Sequence, residues 1–97
     1  MASIYVFENG AQLARIALSS TTLTVGRLKS NDVVLDNPGV SRHHLRIDGD
    51  PTGTTFVLED LQSLNGSFVG GRKVAACVLR NGDEVHLGKH SILFEDA

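Results

Sequence analysis

Along most of the chain apolar and polar residues alternate in short runs, and most of these runs end at Gly, Asn, Asp or Pro. A period of two is that of a strand with one face buried and the other in water. Ser3 to Phe7 is largely β-branched or aromatic, Leu13 to Leu18 alternates around Arg15, and Glu8-Asn9-Gly10 between them signals a hairpin. Leu23 to Val25 and Val33 to Leu35 read as short strands, the first with Leu23 and Val25 on one face. Leu45 and Ile47 flank Arg46 on a half-exposed strand that stops at Asp48-Gly49-Asp50-Pro51. Thr54 to Leu61 reads as one longer strand, with Phe56 and Leu58 opposite Val57 and Glu59. Ser67 to Val69, Lys73 to Leu79, Glu84 to Leu87 and His90 to Phe94 complete the set, the last with Ile92 and Phe94 inward. Their dividers are Gly70-Gly71, Arg80-Asn81-Gly82-Asp83 and Gly88-Lys89. Nowhere do apolar residues recur at the three-and-four spacing of an amphipathic helix, so the expectation is ten or eleven short strands in a β-sandwich.

Composition narrows the function. Ninety-seven residues, 41% of them hydrophobic, suffice for one core, so residues 1–97 are expected to form one domain, without internal repeats. A formal charge of −2 built from mixed signs, with no basic run, argues against a surface for duplex nucleic acid. Any anion must therefore be met locally. The single cysteine, Cys77, excludes an internal disulfide and the multi-cysteine zinc patterns, and suits a reducing interior. Its largely apolar neighbours from Val74 to Leu79 point to a buried small hydrophobe. No apolar run approaches the length of a membrane span, and Glu8 and Asn9 interrupt what a signal peptide would keep apolar. The expected placement is soluble and cytoplasmic, without membrane insertion and monomeric in isolation.

Three polar loops carry the candidate chemistry. Val25-Gly26-Arg27-Leu28-Lys29-Ser30-Asn31-Asp32 comes first, Val40-Ser41-Arg42-His43-His44-Leu45 second, and Asp60-Leu61-Gln62-Ser63-Leu64-Asn65-Gly66-Ser67 third. Each sets Gly, Ser, Asn or Asp against the end of an apolar run, so the three can gather at one end of a β-fold as a site for a phosphorylated peptide. His43, His44, His86 and His90 have no acidic or thiol partner at ligand spacing, so no metal and no cofactor is expected.

Taken together, Gly26-Arg27, Ser41-Arg42-His43-His44 and the third loop resemble the forkhead-associated (FHA) domain pattern. Leu79-Arg80-Asn81-Gly82-Asp83, followed by Val85 and Leu87-Gly88, is similar to that family's closing strands, and the resemblance covers about Leu23 to Phe94. It implies an all-β, eleven-stranded sandwich of two twisted, mostly antiparallel sheets, with ligand loops at one end that bind phosphothreonine peptides. Carried over residue by residue, Arg27 resembles the arginine that pairs with the phosphate and Ser41 the serine that donates its hydroxyl to it. Arg42 stands where members often touch phosphate or peptide, and Asn65 resembles the asparagine that grips the peptide main chain. Gly26 and His44 resemble positions that shape the loops, Gly66 completes a turn after Asn65, and Lys29 and Ser30 are further candidate phosphate donors. The chain departs from the pattern at Leu64, where many members carry Ser or Thr, at Ser67, where Thr is commoner, and at Gly70, where a second Asn is common. Gly39 lies where some members carry a side chain that selects the residue three after the phosphothreonine.

The residue types suit this role on physical grounds. A phosphate brings a charge of about −1.5 to −2 and three strong acceptor oxygens. Guanidinium stays charged and offers a planar fork, while one amide side chain both donates and accepts. Two other classes compete with this reading. One is an interaction domain of the same fold that binds without phosphate through a sheet face or edge, which the missing hydroxyl at Leu64 favours. The other is a hydrolase built on Ser41 with His43 or His44, for which the spacing along an extended strand is poor. No enzyme is expected.

Overall fold

The computed structural model describes residues 1–96. Eleven strands occur in chain order: β1 Ala2–Glu8, β2 Ala11–Ala17, β3 Thr22–Gly26, β4 Val33–Val34, β5 Leu45–Gly49, β6 Phe56–Asp60, β7 Ser67–Val69, β8 Arg72–Val74, β9 Ala76–Val78, β10 Glu84–Leu87 and β11 His90–Asp96. They form a six-stranded sheet, ordered β2-β1-β11-β10-β7-β8, and a five-stranded sheet, ordered β4-β3-β5-β6-β9. Every strand pairing is antiparallel except β3 with β4.

Local chemistry sets the joints. Asn9 and Gly10 take φ of 50° and 84°, the doubly left-handed turn that matches strand twist, and close the β1–β2 hairpin. A bulge between Val6 and Phe7 shifts the register across Leu13, so Ala14 and Ile16 lie opposite Val6 and Ile4 while Gln12 lies opposite Phe7. Thr54 and Thr55 are not part of β6. Both amides donate to Oδ1 of Asp50, at 2.8 and 3.0 Å, and hold a loop instead. The Thr52 hydroxyl and the Thr55 and Thr54 amides pull the Asp50 carboxyl down to about 2.

The expected strand from Lys73 to Leu79 is in fact two. β8 pairs with β7 in one sheet and β9 with β6 in the other, so the chain changes sheets at Ala75. The inward positions change phase at this point: Val74 and Cys77, three residues apart, both pack against the core, while Ala75 and Ala76 between them are exposed. Cys77 lies on β9 half-buried rather than fully enclosed; burial, then Asp83, pushes its thiol pKa up.

The inward residues of both sheets make one core. Ile4, Val6, Leu45, Ile47, Leu58, Val85, Leu87 and Ile92 are at most 1% exposed. Phe56 on β6 meets Phe94 on β11 with ring centroids 5.7 Å apart, which ties the sheets face to face. Burying each such side chain contributes about 1.5–3 kcal/mol, which is what holds the ends of the strands where the loops need them.

His90 is a polar exception within this core. It is 4% exposed, its Nε2 lies 3.8 Å from Oε1 of Glu8, and its Nδ1 has no partner among the described residues. Burial lowers its pKa, with Glu8 opposing and Lys89 assisting. The unfolded chain therefore takes up this proton first, at the ordinary histidine value of about 6.5. Stability from this residue is fully present above that value and falls as pH drops through it towards the lower folded-state pKa. Urea midpoints measured between pH 7.5 and 5 should decline, and the decline should be shallower in His90→Gln.

Candidate phosphopeptide site

β3 runs toward one end of the sandwich, β5 starts there and β6 ends there, because the register sets Val25 opposite Leu45 and Leu45 opposite Asp60. The loops 27–32, 35–44 and 61–66 therefore emerge side by side. The last also carries the chain from β6 in one sheet to β7 in the other.

Hydrogen bonds stitch the first loop to the second. The Arg27 amide donates to the Ser41 carbonyl at 3.0 Å, and the Leu28 amide to the Arg42 carbonyl at 3.3 Å. Asn31, 7% exposed, donates through Nδ2 to the carbonyls of Leu28 and Arg42, both at 2.8 Å. Gly26 lies tight beneath this seam. A Cβ there would sit 2.2 Å from the Arg42 carbonyl oxygen and 2.8 Å from Asn31 Nδ2, so only glycine allows the approach.

A second set joins the second loop to the third. The Ser41 hydroxyl oxygen accepts from the Leu64 amide at 3.0 Å, and Asn65 Nδ2 donates to the Gly39 carbonyl at 3.1 Å. His44, fully buried, accepts the Ser41 amide on Nδ1 at 3.1 Å, so its Nε2 carries the proton donated to the Gly66 carbonyl at 3.0 Å. Asp60 anchors the third loop. Its Oδ1 accepts the hydroxyls of Ser63 and Ser67, both at 2.6 Å, and its Oδ2 accepts the Ser63 amide at 3.0 Å. Burial alone would raise the Asp60 pKa, but these donors outweigh it and the net shift is downward.

The structure brings together Arg27, Ser41, Arg42 and Asn65, with Gly26, His44 and Gly66 in the seams between their loops. Lys29 and Ser30 stand exposed on the first loop. The side chains of Arg27, Lys29 and Arg42 are exposed, and none pairs with a carboxylate among the described residues. Ser41, already accepting one bond, still has its own proton to donate. Leu64 leaves its side chain 87% exposed while its amide is engaged. Sequence reasoning assigned no role to Asn31, Asp60, Ser63 or Ser67, which hold the loops. Each is an ordinary turn residue, and nothing in its spacing separates a clamp from a solvated side chain.

A Gly26→Ala substitution tests the seam. The forced contact with the Arg42 carbonyl should cost about 1–3 kcal/mol. At roughly 4–8 °C per kcal/mol for a chain of this size, the loss is readable in a thermal melt.

Comparison with known proteins places this geometry in a family. The FHA domain model matches residues 23–88. The transcriptional regulatory protein EmbR of Mycobacterium tuberculosis is 39% identical over 79 residues, which is 80% of this chain and 20% of that protein. The glycogen accumulation regulator GarA of Mycolicibacterium smegmatis is 39% identical over 83 residues, which is 84% of this chain and 50% of that protein. The chain thus spans half or less of these relatives' own length. Among solved structures, the FHA domain of Chlamydia trachomatis protein CT664 superposes with a TM-score of 0.88 at 30% identity, covering 99% of this chain and 97% of that one. Mycobacterium tuberculosis EmbR, solved in complex with a low affinity phosphopeptide, gives a TM-score of 0.77 at 34% identity over 98% of this chain and 24% of that one. Together with the two-sheet fold and the three stitched loops, the match establishes that the chain belongs to the FHA domain family.

Proposed function

We propose that this FHA domain binds a threonine-phosphorylated segment of a partner protein through Arg27, Ser41, Arg42 and Asn65, with Lys29 and Ser30 at the margin. The observation that carries the reading is a division of labour. Backbone groups and the side chains of Asn31 and His44, with one lone pair of the Ser41 hydroxyl and Nδ2 of Asn65, make the bonds that hold the loops, while the exposed cations, the Ser41 proton and Asn65 Oδ1 stay uncommitted. Three exposed cations and the uncommitted Ser41 proton suit a dianion with three acceptor oxygens. Asn65 Oδ1 accepts no bond from the described residues, which leaves it for a peptide amide, and exposed Leu64 offers apolar surface to residues flanking the phosphothreonine.

Binding rather than hydrolysis is supported by the bond His44 makes. Its Nδ1 takes the Ser41 amide and its Nε2 faces the Gly66 carbonyl, so neither ring nitrogen is available to the Ser41 hydroxyl as a general base. The domain has no chemistry of its own in this reading and recruits a partner after a kinase has acted, as a soluble intracellular monomer.

Arg27→Ala is the direct test. Loss of charge-assisted bonds worth roughly 1.5–3 kcal/mol should weaken a phosphothreonine peptide about tenfold or more. Calorimetric titration of a degenerate phosphothreonine library would read this, with unphosphorylated and phosphoserine libraries as controls. Unchanged affinity in the variant would instead support phosphate-free binding through a sheet face or edge.

A further inference from the structure

The nine lysines and arginines sort into three groups. Arg46 pairs with Asp48 and Glu59, Lys89 pairs with Glu8, and Arg15 lies over Tyr5 and donates to its hydroxyl. Arg27, Lys29 and Arg42 occupy the loops at the end of the sandwich. The remaining three, Arg72, Lys73 and Arg80, have no side-chain partner among the described residues, and all line one groove of about 400 Å³.

This groove lies between β8 and β9, the terminal strands of the two sheets, just where the chain changes sheets. Val74 and Cys77, both packed against the core, give it an apolar floor, and β9, whose Val78 also borders the groove and is 54% exposed, has one neighbouring strand among the described residues. One carboxylate, Asp83, faces three cations across it, on a chain whose net charge is −2. Asp83 is itself engaged, its Oδ2 accepting the Arg80 amide at 2.8 Å.

We infer that the groove between β8 and β9, which borders the third phosphate loop where the Lys73 stem lies against Gly66, is a second docking surface for an extended acidic segment of a partner protein. The free edge of β9 offers main-chain donors and acceptors to an added strand. Alternate residues of that strand would set apolar side chains toward Val74 and Cys77 and carboxylates beside Arg72, Lys73 and Arg80. Charges on terminal strands also guard against edge-to-edge pairing. Arg72 and Lys73 would suffice for that; it accounts neither for Arg80, which lies beyond β9, nor for an apolar floor left open between them.

The test uses the full 97-residue chain and an octapeptide of alternating valine and glutamate, followed by amide chemical shifts. Saturable shifts confined to residues 69–83 are expected, with binding weakened at least tenfold in Lys73→Glu/Arg80→Glu. Both positions are exposed, and an unchanged melt of the variant would separate lost docking from lost folding. A valine–lysine octapeptide should leave the spectrum unchanged. The inference is overturned by no shift at millimolar peptide, by an equal response to the lysine peptide, or by shifts centred on residues 27–42 instead. Shifts in the groove that follow protein concentration without peptide would overturn it too, since the occupant would then be a second copy of the chain.

Discussion

A single buried imidazole holds the ligand end of the molecule together. His44 is fully enclosed, so neither ring nitrogen can fall back on water, and each must find its partner inside. One takes the Ser41 amide and the other gives its proton to the Gly66 carbonyl, 22 residues away. The same residue's backbone donates to the Val25 carbonyl and accepts from the Leu61 amide. All three loops thus meet on one side chain and its peptide group. The arrangement works only for the neutral ring with hydrogen on Nε2, because a protonated ring would present a donor to the Ser41 N–H.

Around that ring, the bonds that hold the loops leave the guanidinium groups uncommitted. The loops are stitched by carbonyls, amides, Asn31, the Ser41 hydroxyl oxygen, Asn65 Nδ2 and the Asp60 cluster, and none of these bonds uses a guanidinium. Ordering a residue costs roughly 1–2 kcal/mol of backbone entropy. Loops already ordered in the free domain do not incur that cost again when a ligand arrives, so more of the gross interaction survives as affinity. Asp60 shows the same economy. One carboxylate holds Ser63 and Ser67 while the Ser63 hydroxyl oxygen accepts the Gly66 amide at 3.0 Å, so the turn carrying Asn65 is fixed from behind.

Much of this was legible in the sequence, and the part that was not has a physical reason. Period-two alternation located the strands, Asn9-Gly10 the first hairpin, and the order of Arg27, Ser41 and Asn65 the three loops. The break at Ala75 was hidden because Val74 to Leu79 is apolar throughout, so the run shows no alternation whose phase could shift, and only long-range pairing says which sheet each half joins. Asn31 was hidden for another reason. A buried clamp and a solvated turn residue share composition and neighbours, and what separates them is the Gly26 backbone lying close enough for the Arg42 carbonyl to come within reach. Ser67 looked like a mere departure from a commoner Thr, yet its hydroxyl, fully buried, donates to Asp60.

Electrostatics explains how a chain with a net charge of −2 can present anion sites at all. Over distances beyond the Debye length, roughly 8 Å at physiological salt, the net charge matters little. What an approaching anion meets is the local set of cations still free to turn toward it. Internal pairing engages three of the nine: Arg46 with two carboxylates, Lys89 with Glu8, and Arg15 with Tyr5. The six that remain are divided between the loop end and the β8–β9 groove rather than scattered over the sheet faces. Selective neutralisation therefore does what a basic composition would do elsewhere, and confines it to two places. The proposed occupants, a phosphate at the loop end and an acidic segment in the groove, would each meet such a local cluster rather than a continuous basic surface.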